Sequence, residues 1–152
     1  MRDYKQEFIK CLKSIGYAKR PSTVFQDLLT VSSISIANTV YNSKELEAQY
    51  FDVLNQYENP EKLTELLSLT VLAMEEKPQD FLGQIYMSEN FGNKGASQFF
   101  TSYHVAELMA EMNIGDYFEK EIEEKGFIKI ADTCCGSGVM TIAIFEAIKN
   151  ET

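Results

Sequence analysis

The residues best suited to chemistry lie in one short segment near the end of the sequence. It reads Asp132-Thr133-Cys134-Cys135-Gly136-Ser137-Gly138. The β-favouring run 127–131 precedes it, and an apolar helical pattern begins at Val139. Glycines in such a turn let the backbone approach a ligand closely, and the first amides of the following helix attract an anionic group. A strand, an acidic residue, a Gly-x-Gly turn and a helix predict the first unit of a nucleotide-binding α/β sheet.

The spacing within this turn does not fit the two commonest nucleotide motifs. Thr141 stands three positions after Gly138, where the dinucleotide fingerprint has glycine, and no Gly-Lys-Ser/Thr of a phosphate loop follows. NAD and ATP are therefore poorly supported. A tight strand-to-helix connection without any ligand is the alternative interpretation of a lone Gly-Ser-Gly turn.

A second segment points to one family. Residues 80–86 read Asp-Phe-Leu-Gly-Gln-Ile-Tyr, and residues 97–109 read Ser-Gln-Phe-Phe-Thr-Ser-Tyr-His-Val-Ala-Glu-Leu-Met. With the glycine turn, they resemble the adenine-N6 DNA methylases of type I restriction systems. That family has an Asp-x-x-Gly-x-x-Tyr helix, a Gly-Gln-Phe-Phe-Thr-Pro turn and then Asp-Pro-x-x-Gly-Ser-Gly. The chain departs from this pattern at Ser97, where glycine is usual, and at Ser102 and Thr133, where proline is usual.

The resemblance implies a site for S-adenosyl-L-methionine that is built from both segments. One wall, at the methionine end, would consist of Gln98, Phe99, Phe100, Thr101, Ser102 and Tyr103. The opposite wall would consist of Asp132, Gly136, Ser137, Gly138 and Val139. Thr101 and a helix start capped by Ser102 offer donors to the methionine carboxylate, and Asp132 offers an acceptor to its ammonium group. Simple core packing is the alternative role for Phe99 and Phe100, and we expect it for at least one of them.

No catalytic residue is predicted in this chain. The resembling family binds the extruded adenine with an Asn/Asp-Pro-Pro-Tyr/Phe motif, which is absent because Pro21, Pro60 and Pro78 all stand alone. The acidic residue for the cofactor ribose, expected roughly 20 residues past the glycine turn, also falls beyond Thr152. We therefore expect the N-terminal part of a DNA methyltransferase that is inactive as this chain alone.

Cysteine and histidine usage predicts neither a metal site nor a reactive thiol. The chain has one histidine, His104, and three cysteines, of which Cys134 and Cys135 are adjacent. This arrangement matches neither zinc-ligand spacing nor a disulfide framework, and it favours a reducing cytoplasm. The N-terminus is too charged for a signal peptide. The most apolar run, 66–74, is far shorter than the roughly 20 residues of a membrane span.

The elements that must position the site are mostly helical. Helical spacing and end signals predict a helix over 3–15 that stops at Gly16, a second that starts at Pro21 and has an undetermined end, and a third after Ser43. Further helices are predicted over 61–76, 80–88, 102–113, 116–125 and 139–149. In the helix over 61–76, the residues expected to face inward are Leu63, Leu66, Leu67, Thr70 and Met74. The predicted fold class is mostly α. An N-terminal helical region over 1–78 is followed over 79–152 by the incomplete start of a Rossmann-like methyltransferase domain.

The distribution of charge along the sequence indicates how the chain would interact with DNA. Residues 1–60 hold seven basic and seven acidic side chains, whereas residues 61–152 hold seven basic and sixteen acidic ones, so the net charge of −9 lies in the second part. Such an acidic part repels phosphates, and we expect DNA to be bound only through the complete enzyme. The alternative hypothesis is a non-enzymatic helical module that binds a restriction-modification subunit or itself, with vestigial cofactor motifs.

Overall fold

The computed structural model describes residues 2–15, 19–92 and 100–151. These parts of the chain form eight helices. They are α1 (Tyr4–Ile15), α2 (Pro21–Tyr41), α3 (Lys44–Leu54), α4 (Glu61–Glu76), α5 (Phe81–Ser88), α6 (Tyr103–Asn113), α7 (Asp116–Lys125) and α8 (Val139–Glu151). The chain divides into two compact units, Met1–Ala73 and Met74–Thr152. The predicted helices and the mostly α fold class are confirmed, while the Gly16 stop lies outside the described residues.

The first unit has its core among α1, α2 and the first part of α4. The ring of Phe8 lies edge-on to that of Phe25, with centroids 6.5 Å apart. The most completely buried apolar side chains of this unit are Phe8, Leu12, Val24, Leu28, Leu63 and Leu66. The thiol of Cys11 lies 4.0 Å from the carbonyl of Lys62, which brings α1 against the start of α4. Helix α1 therefore packs against α2 and also contacts the start of α4.

Helix α2 continues through a run of serine, threonine and isoleucine that left its end undetermined from sequence. The hydroxyls of Thr30 and Ser33 bond to backbone carbonyls one turn earlier, so these polar groups do not interrupt the helix. The helix ends at Asn42, whose left-handed conformation (φ 47°) reverses the chain. Ser43 then accepts a hydrogen bond from the amide of Leu46 and starts α3, as its sequence position predicts. A two-residue connection thus packs α3 back on α2.

The inward face of α4 differs in part from the predicted one. Leu63, Leu66 and Thr70 are buried as expected, and the hydroxyl of Thr70 bonds to the carbonyl of Leu66. The expectation for Leu67 and Met74 is wrong, because Leu67 is half-buried and Met74 is exposed. Leu69 and Ala73 are buried instead. The buried stripe keeps to the 3.6-residue period, whereas Leu67 and Met74 lie at its side.

In the second unit, the run 127–132 takes neither helical nor strand structure. Phe127 and Ile130 are exposed there. A strand is defined by hydrogen bonds to a neighbouring strand, and the described residues contain no strand. The strand of the predicted Rossmann-like β-α unit is therefore not shown, although the turn and the helix after it are formed.

Replacing Phe8 with alanine tests the core of the first unit. Phe8 is fully buried (0% exposed), so Phe8→Ala should lower the free energy of unfolding by about 3–5 kcal/mol. Phe51→Ala is the matched control in the same unit, because Phe51 is 50% exposed and should cost about 1 kcal/mol or less. Urea unfolding followed by circular dichroism measures both. Equal losses from the two variants would contradict the core assignment.

Candidate cofactor-binding site

Helix α5 begins with a buried carboxylate that serves two segments at once. Asp80 is the N-cap of α5 and is only 6% exposed. Its Oδ1 accepts a hydrogen bond from the backbone N–H of Gly83 at 2.9 Å. Its Oδ2 accepts one from the hydroxyl of Ser137 at 2.5 Å, although Ser137 lies 57 residues further along the chain. A single side chain thus caps α5 and bonds to the glycine turn.

Gly83 makes room for this carboxylate. A Cβ atom at position 83 would stand 2.1 Å from Oδ2 of Asp80 and 2.6 Å from its Oδ1. Such a distance is far inside van der Waals contact, so any larger residue would force the carboxylate to move. The glycine of the Asp-x-x-Gly-x-x-Tyr motif therefore allows the Asp80 carboxylate to keep its present position.

The tyrosine of the same motif contacts Phe100 of the first predicted wall through its aromatic ring. The rings of Tyr86 and Phe100 lie 5.4 Å apart between centroids and are tilted by 37°. Phe100 in turn lies on Gly136, where a Cβ atom would come within 3.5 Å of its Cδ1 atom. Residues 86, 100 and 136 thereby form one continuous contact, and two segments far apart in sequence meet at Gly136.

The glycine turn owes its shape to backbone conformations that disfavour other residues. Gly136 has φ 53° and Gly138 has φ 82°, both in the left-handed region. The N–H of Gly138 donates to the carbonyl of Cys135 at 2.6 Å, which closes the turn just before α8. No atom of the described residues lies within 4 Å of a Cβ at position 138, so glycine is needed there for its backbone conformation.

The two carboxylate oxygens of Asp132, just before this turn, differ in their hydrogen bonding. Its Oδ1 accepts a hydrogen bond from the N–H of Cys134 at 3.1 Å, which anchors the first part of the turn. Its Oδ2 is buried and has no hydrogen-bond partner within the described part of the chain. A buried acceptor without a partner is costly, and a cationic or N–H donor would remove that cost. Asp132 can therefore receive a positively charged group.

Small side chains bring the two helices of the site together. Ala106 and Ala110 of α6 pack with Val139 and Ala143 of α8 to form a buried cluster. Tyr103 packs against the edge of this cluster, and burial raises the pKa of its hydroxyl above the usual value. Since α6 follows Phe100 and α8 follows Gly138, their packing holds the ends of both predicted walls in place.

The structure places the predicted site residues in different settings. Phe100 and Gly136 are in contact, and Ser137 is bonded to Asp80. Thr101 and Ser102 are exposed, and the expected side-chain cap from Ser102 is wrong, because this N-cap residue makes no such bond. Gln98 and Phe99 lie outside the described residues.

Two further predicted residues belong to the packing between α6 and α8. Val139 is buried, and Tyr103 is half-buried beside it. The geometry also adds two residues that were not among the predicted site residues, Asp80 and Gly83. Their spacing in the Asp-x-x-Gly motif was the available signal.

The remaining residues that could take part in chemistry, His104, Cys134 and Cys135, lie at the surface. His104 is exposed, with Nδ1 3.6 Å from a carboxylate oxygen of Glu107 one helical turn away. Cys134 and Cys135 are exposed and free. Among the described residues, no cluster of histidine, cysteine and carboxylate side chains could hold a metal ion. Within the same ranges, no helix has the length and apolar character needed to cross a membrane.

Comparison with known families agrees with this arrangement. The family model described as N-6 DNA methylase matches residues 77–152, which is half of the chain. No curated protein and no solved structure matches. The matched range begins just before Asp80 and includes every segment that meets at the glycine turn. The chain belongs to the N-6 DNA methylase family.

The cysteines allow a direct check of the turn's exposure. Burial raises the pKa of Cys11 to about 11, so at pH 8 this thiol is almost wholly protonated as well as inaccessible. Iodoacetamide should therefore modify Cys134 and Cys135 in the folded protein and leave Cys11 unmodified until urea unfolds it. Peptide mass spectrometry resolves the sites. Prompt modification of Cys11, or protection of both turn cysteines, would contradict the structure.

Proposed function

We propose that these residues supply the cofactor-binding elements of an S-adenosyl-L-methionine-dependent DNA adenine-N6 methyltransferase. The observation that carries the proposal is the contact of Phe100 with Gly136, which joins the two predicted walls. Family membership supports the activity class, and the resemblance to restriction-modification methylases supports the setting. A cytoplasmic location and a restriction-modification partner subunit remain predictions.

The residues present fit the methionine part of the cofactor. Asp132 Oδ2, a buried acceptor that has no hydrogen-bond partner among the described residues, suits the ammonium group. The exposed hydroxyls of Thr101 and Ser102, at the start of α6, suit the carboxylate. Ser102 is not used as a side-chain cap, which leaves its hydroxyl available to a ligand. Gly136 and Gly138 keep the turn free of side chains, so a ligand can lie against the backbone.

The sequence lacks the motif by which the resembling family recognises the target adenine. When bound, the cofactor supplies a methyl group on a sulfonium for attack by the adenine amino nitrogen. That nitrogen must be extruded from the duplex and held in line, a task for the Asn/Asp-Pro-Pro-Tyr/Phe motif that the sequence lacks. The run 127–131 would pair as a strand where a neighbouring strand is provided, completing a β-α unit. We therefore propose cofactor binding, without methyl transfer, for these 152 residues.

Two glycines test the cofactor site with a matched control. Gly138 (φ 82°) and Gly126 (φ 77°) have similar conformations, and in the described parts of the chain no atom lies within 4 Å of an added Cβ at either position. Alanine at either position should cost about 1–2 kcal/mol of stability. Only Gly138→Ala should also weaken S-adenosylmethionine binding, by about tenfold, because it distorts the turn itself. Isothermal titration calorimetry measures affinity, and thermal unfolding measures stability.

The control separates a local effect from a general one. Gly126 ends α7 and is not part of the turn, so Gly126→Ala should leave the affinity unchanged. Equal affinity losses in both variants would assign the effect to stability alone. No measurable binding by the unsubstituted chain would remove the basis of the proposed cofactor site.

Methyl transfer itself should be absent. With tritiated S-adenosylmethionine and duplex DNA, these residues should incorporate no label above a protein-free control, because nothing in the sequence positions the adenine. Because residues 61–152 are strongly acidic, duplex DNA should also bind weakly at physiological salt. Robust incorporation by the purified chain would show that target recognition uses residues other than the missing motif.

A second candidate function is a helical interaction module, favoured by one specific observation. Helix α6 exposes four apolar side chains at helical spacing, Val105, Leu108, Met109 and Met112. They form a stripe on the opposite face from Ala106 and Ala110, which pack on α8. An exposed stripe of this kind is typical of a contact surface. A stable dimer that binds no S-adenosylmethionine would favour this function, whereas a monomer that binds it would favour the first.

A further inference from the structure

We propose that Asp80 is a positioning residue for the cofactor. Its buried carboxylate holds Ser137, and through Ser137 the glycine turn, in the shape that receives S-adenosylmethionine. The inference rests on the proposed function and deepens it, because it places part of the control of cofactor affinity in the preceding helix α5. Asp80 itself acts through Ser137 and is not assigned a cofactor contact.

The two oxygens of Asp80 have separate tasks. Oδ1 accepts from the N–H of Gly83 at 2.9 Å, which is the usual bond of a helix N-cap. Oδ2 accepts from the Ser137 hydroxyl at 2.5 Å, a bond that the cap does not need. Hydrogen bonds to an ionised carboxylate are among the stronger ones, and this carboxylate is only 6% exposed. The link to Ser137 is therefore an additional constraint on the turn.

Gly83 leaves space for the oxygen of Asp80 that accepts the hydrogen bond from Ser137. A Cβ at position 83 would stand closest to Oδ2, at 2.1 Å, and Oδ2 is the oxygen that bonds to Ser137. A methyl group there would displace that oxygen while leaving both bonded residues unchanged. Gly83→Ala consequently tests the link without substituting either Asp80 or Ser137.

Helix α5 supports the turn at the neighbouring residue as well. The ring of Tyr86 lies against Phe100, and Phe100 lies on Gly136. Two consecutive turn residues, Gly136 and Ser137, are thus held by side chains that connect to one helix. A segment fixed at consecutive residues has little freedom to change its backbone angles, which is the condition for a preorganised ligand turn.

A purely structural role for Asp80 makes a different prediction. If capping α5 were its only role, any good N-cap residue would replace it without effect on the cofactor. Asp80→Ser keeps an N-cap oxygen but lacks the second oxygen and the reach to Ser137. Ser43→Ala is the matched control, because it removes the N-cap of α3 in the other unit and tests the effect of losing a cap alone.

The experiment combines calorimetry with hydrogen exchange. S-adenosylmethionine should bind Asp80→Ser and Gly83→Ala about tenfold more weakly than the unsubstituted chain, and Ser43→Ala with unchanged affinity. Without cofactor, the amides of Cys134 and Gly138 should exchange faster in both α5 variants and not in the control. The double variant with Asp80→Ser and Ser137→Ala should bind S-adenosylmethionine about as weakly as Ser137→Ala alone. The two substitutions remove the same hydrogen bond, so their effects should not add.

The outcomes distinguish this inference from the proposed function. If the unsubstituted chain binds S-adenosylmethionine and Asp80→Ser and Gly83→Ala bind it equally well, the positioning role is overturned while the proposed function stands. If the unsubstituted chain does not bind it, the proposed function and the cofactor role of Asp80 both fail. In that case, faster exchange in the α5 variants would still show that Asp80 orders the turn. Should either variant fail to fold, the other gives the same comparison.

Discussion

Close approach between segments, made possible by missing side chains, is the constraint on which the second unit depends. Gly83 lets the carboxylate of Asp80 lie against the first turn of α5, where it also reaches Ser137 of the glycine turn. Ala106 and Ala143 similarly let α6 and α8 approach each other. A Cβ at position 83 would displace the carboxylate that reaches Ser137, and larger residues at 106 or 143 would push α6 and α8 apart. The site is therefore specified as much by where side chains are absent as by the polar groups around it.

Helix positions were predictable from the sequence because their end signals are local. Ser43 and Asp80 cap their helices as their positions indicate, and Gly126 ends α7 in the left-handed conformation. The end of α2 could not be placed, because weak helix formers there are compensated by hydroxyl-to-carbonyl bonds and by packing with α3. The strand predicted over 127–131 depends on a distant partner as well. Its β-favouring residues give a tendency to form a strand, but the pairing that defines a strand must come from another segment.

The candidate site divides in the same way between local and long-range information. The sequence motifs indicated that residues near 100 and near 136 belong together, and the structure brings Phe100 onto Gly136. The bond from Ser137 to Asp80 could not be predicted, because neither residue's neighbours indicate a partner 57 positions away. The cap at Ser102 was expected from residue type alone, yet its hydroxyl does not turn toward the helix amides. Residue type therefore predicted what each position can bind, whereas only the fold determined which partner it has.

The acidic charge of this chain has different consequences for the proposed cofactor and for DNA. The residues around the candidate site belong to the acidic part of the sequence, which repels a phosphate backbone but not a ligand with a sulfonium and an ammonium group. Of the basic residues near the N-terminus, Arg2 is paired with Glu7 and Lys19 with Asp27. Lys19 also lies over the ring of Tyr57, 4.2 Å from its centroid, so it is held within its own unit. The acidic composition of residues 61–152 therefore suits the proposed small cationic cofactor better than a nucleic acid.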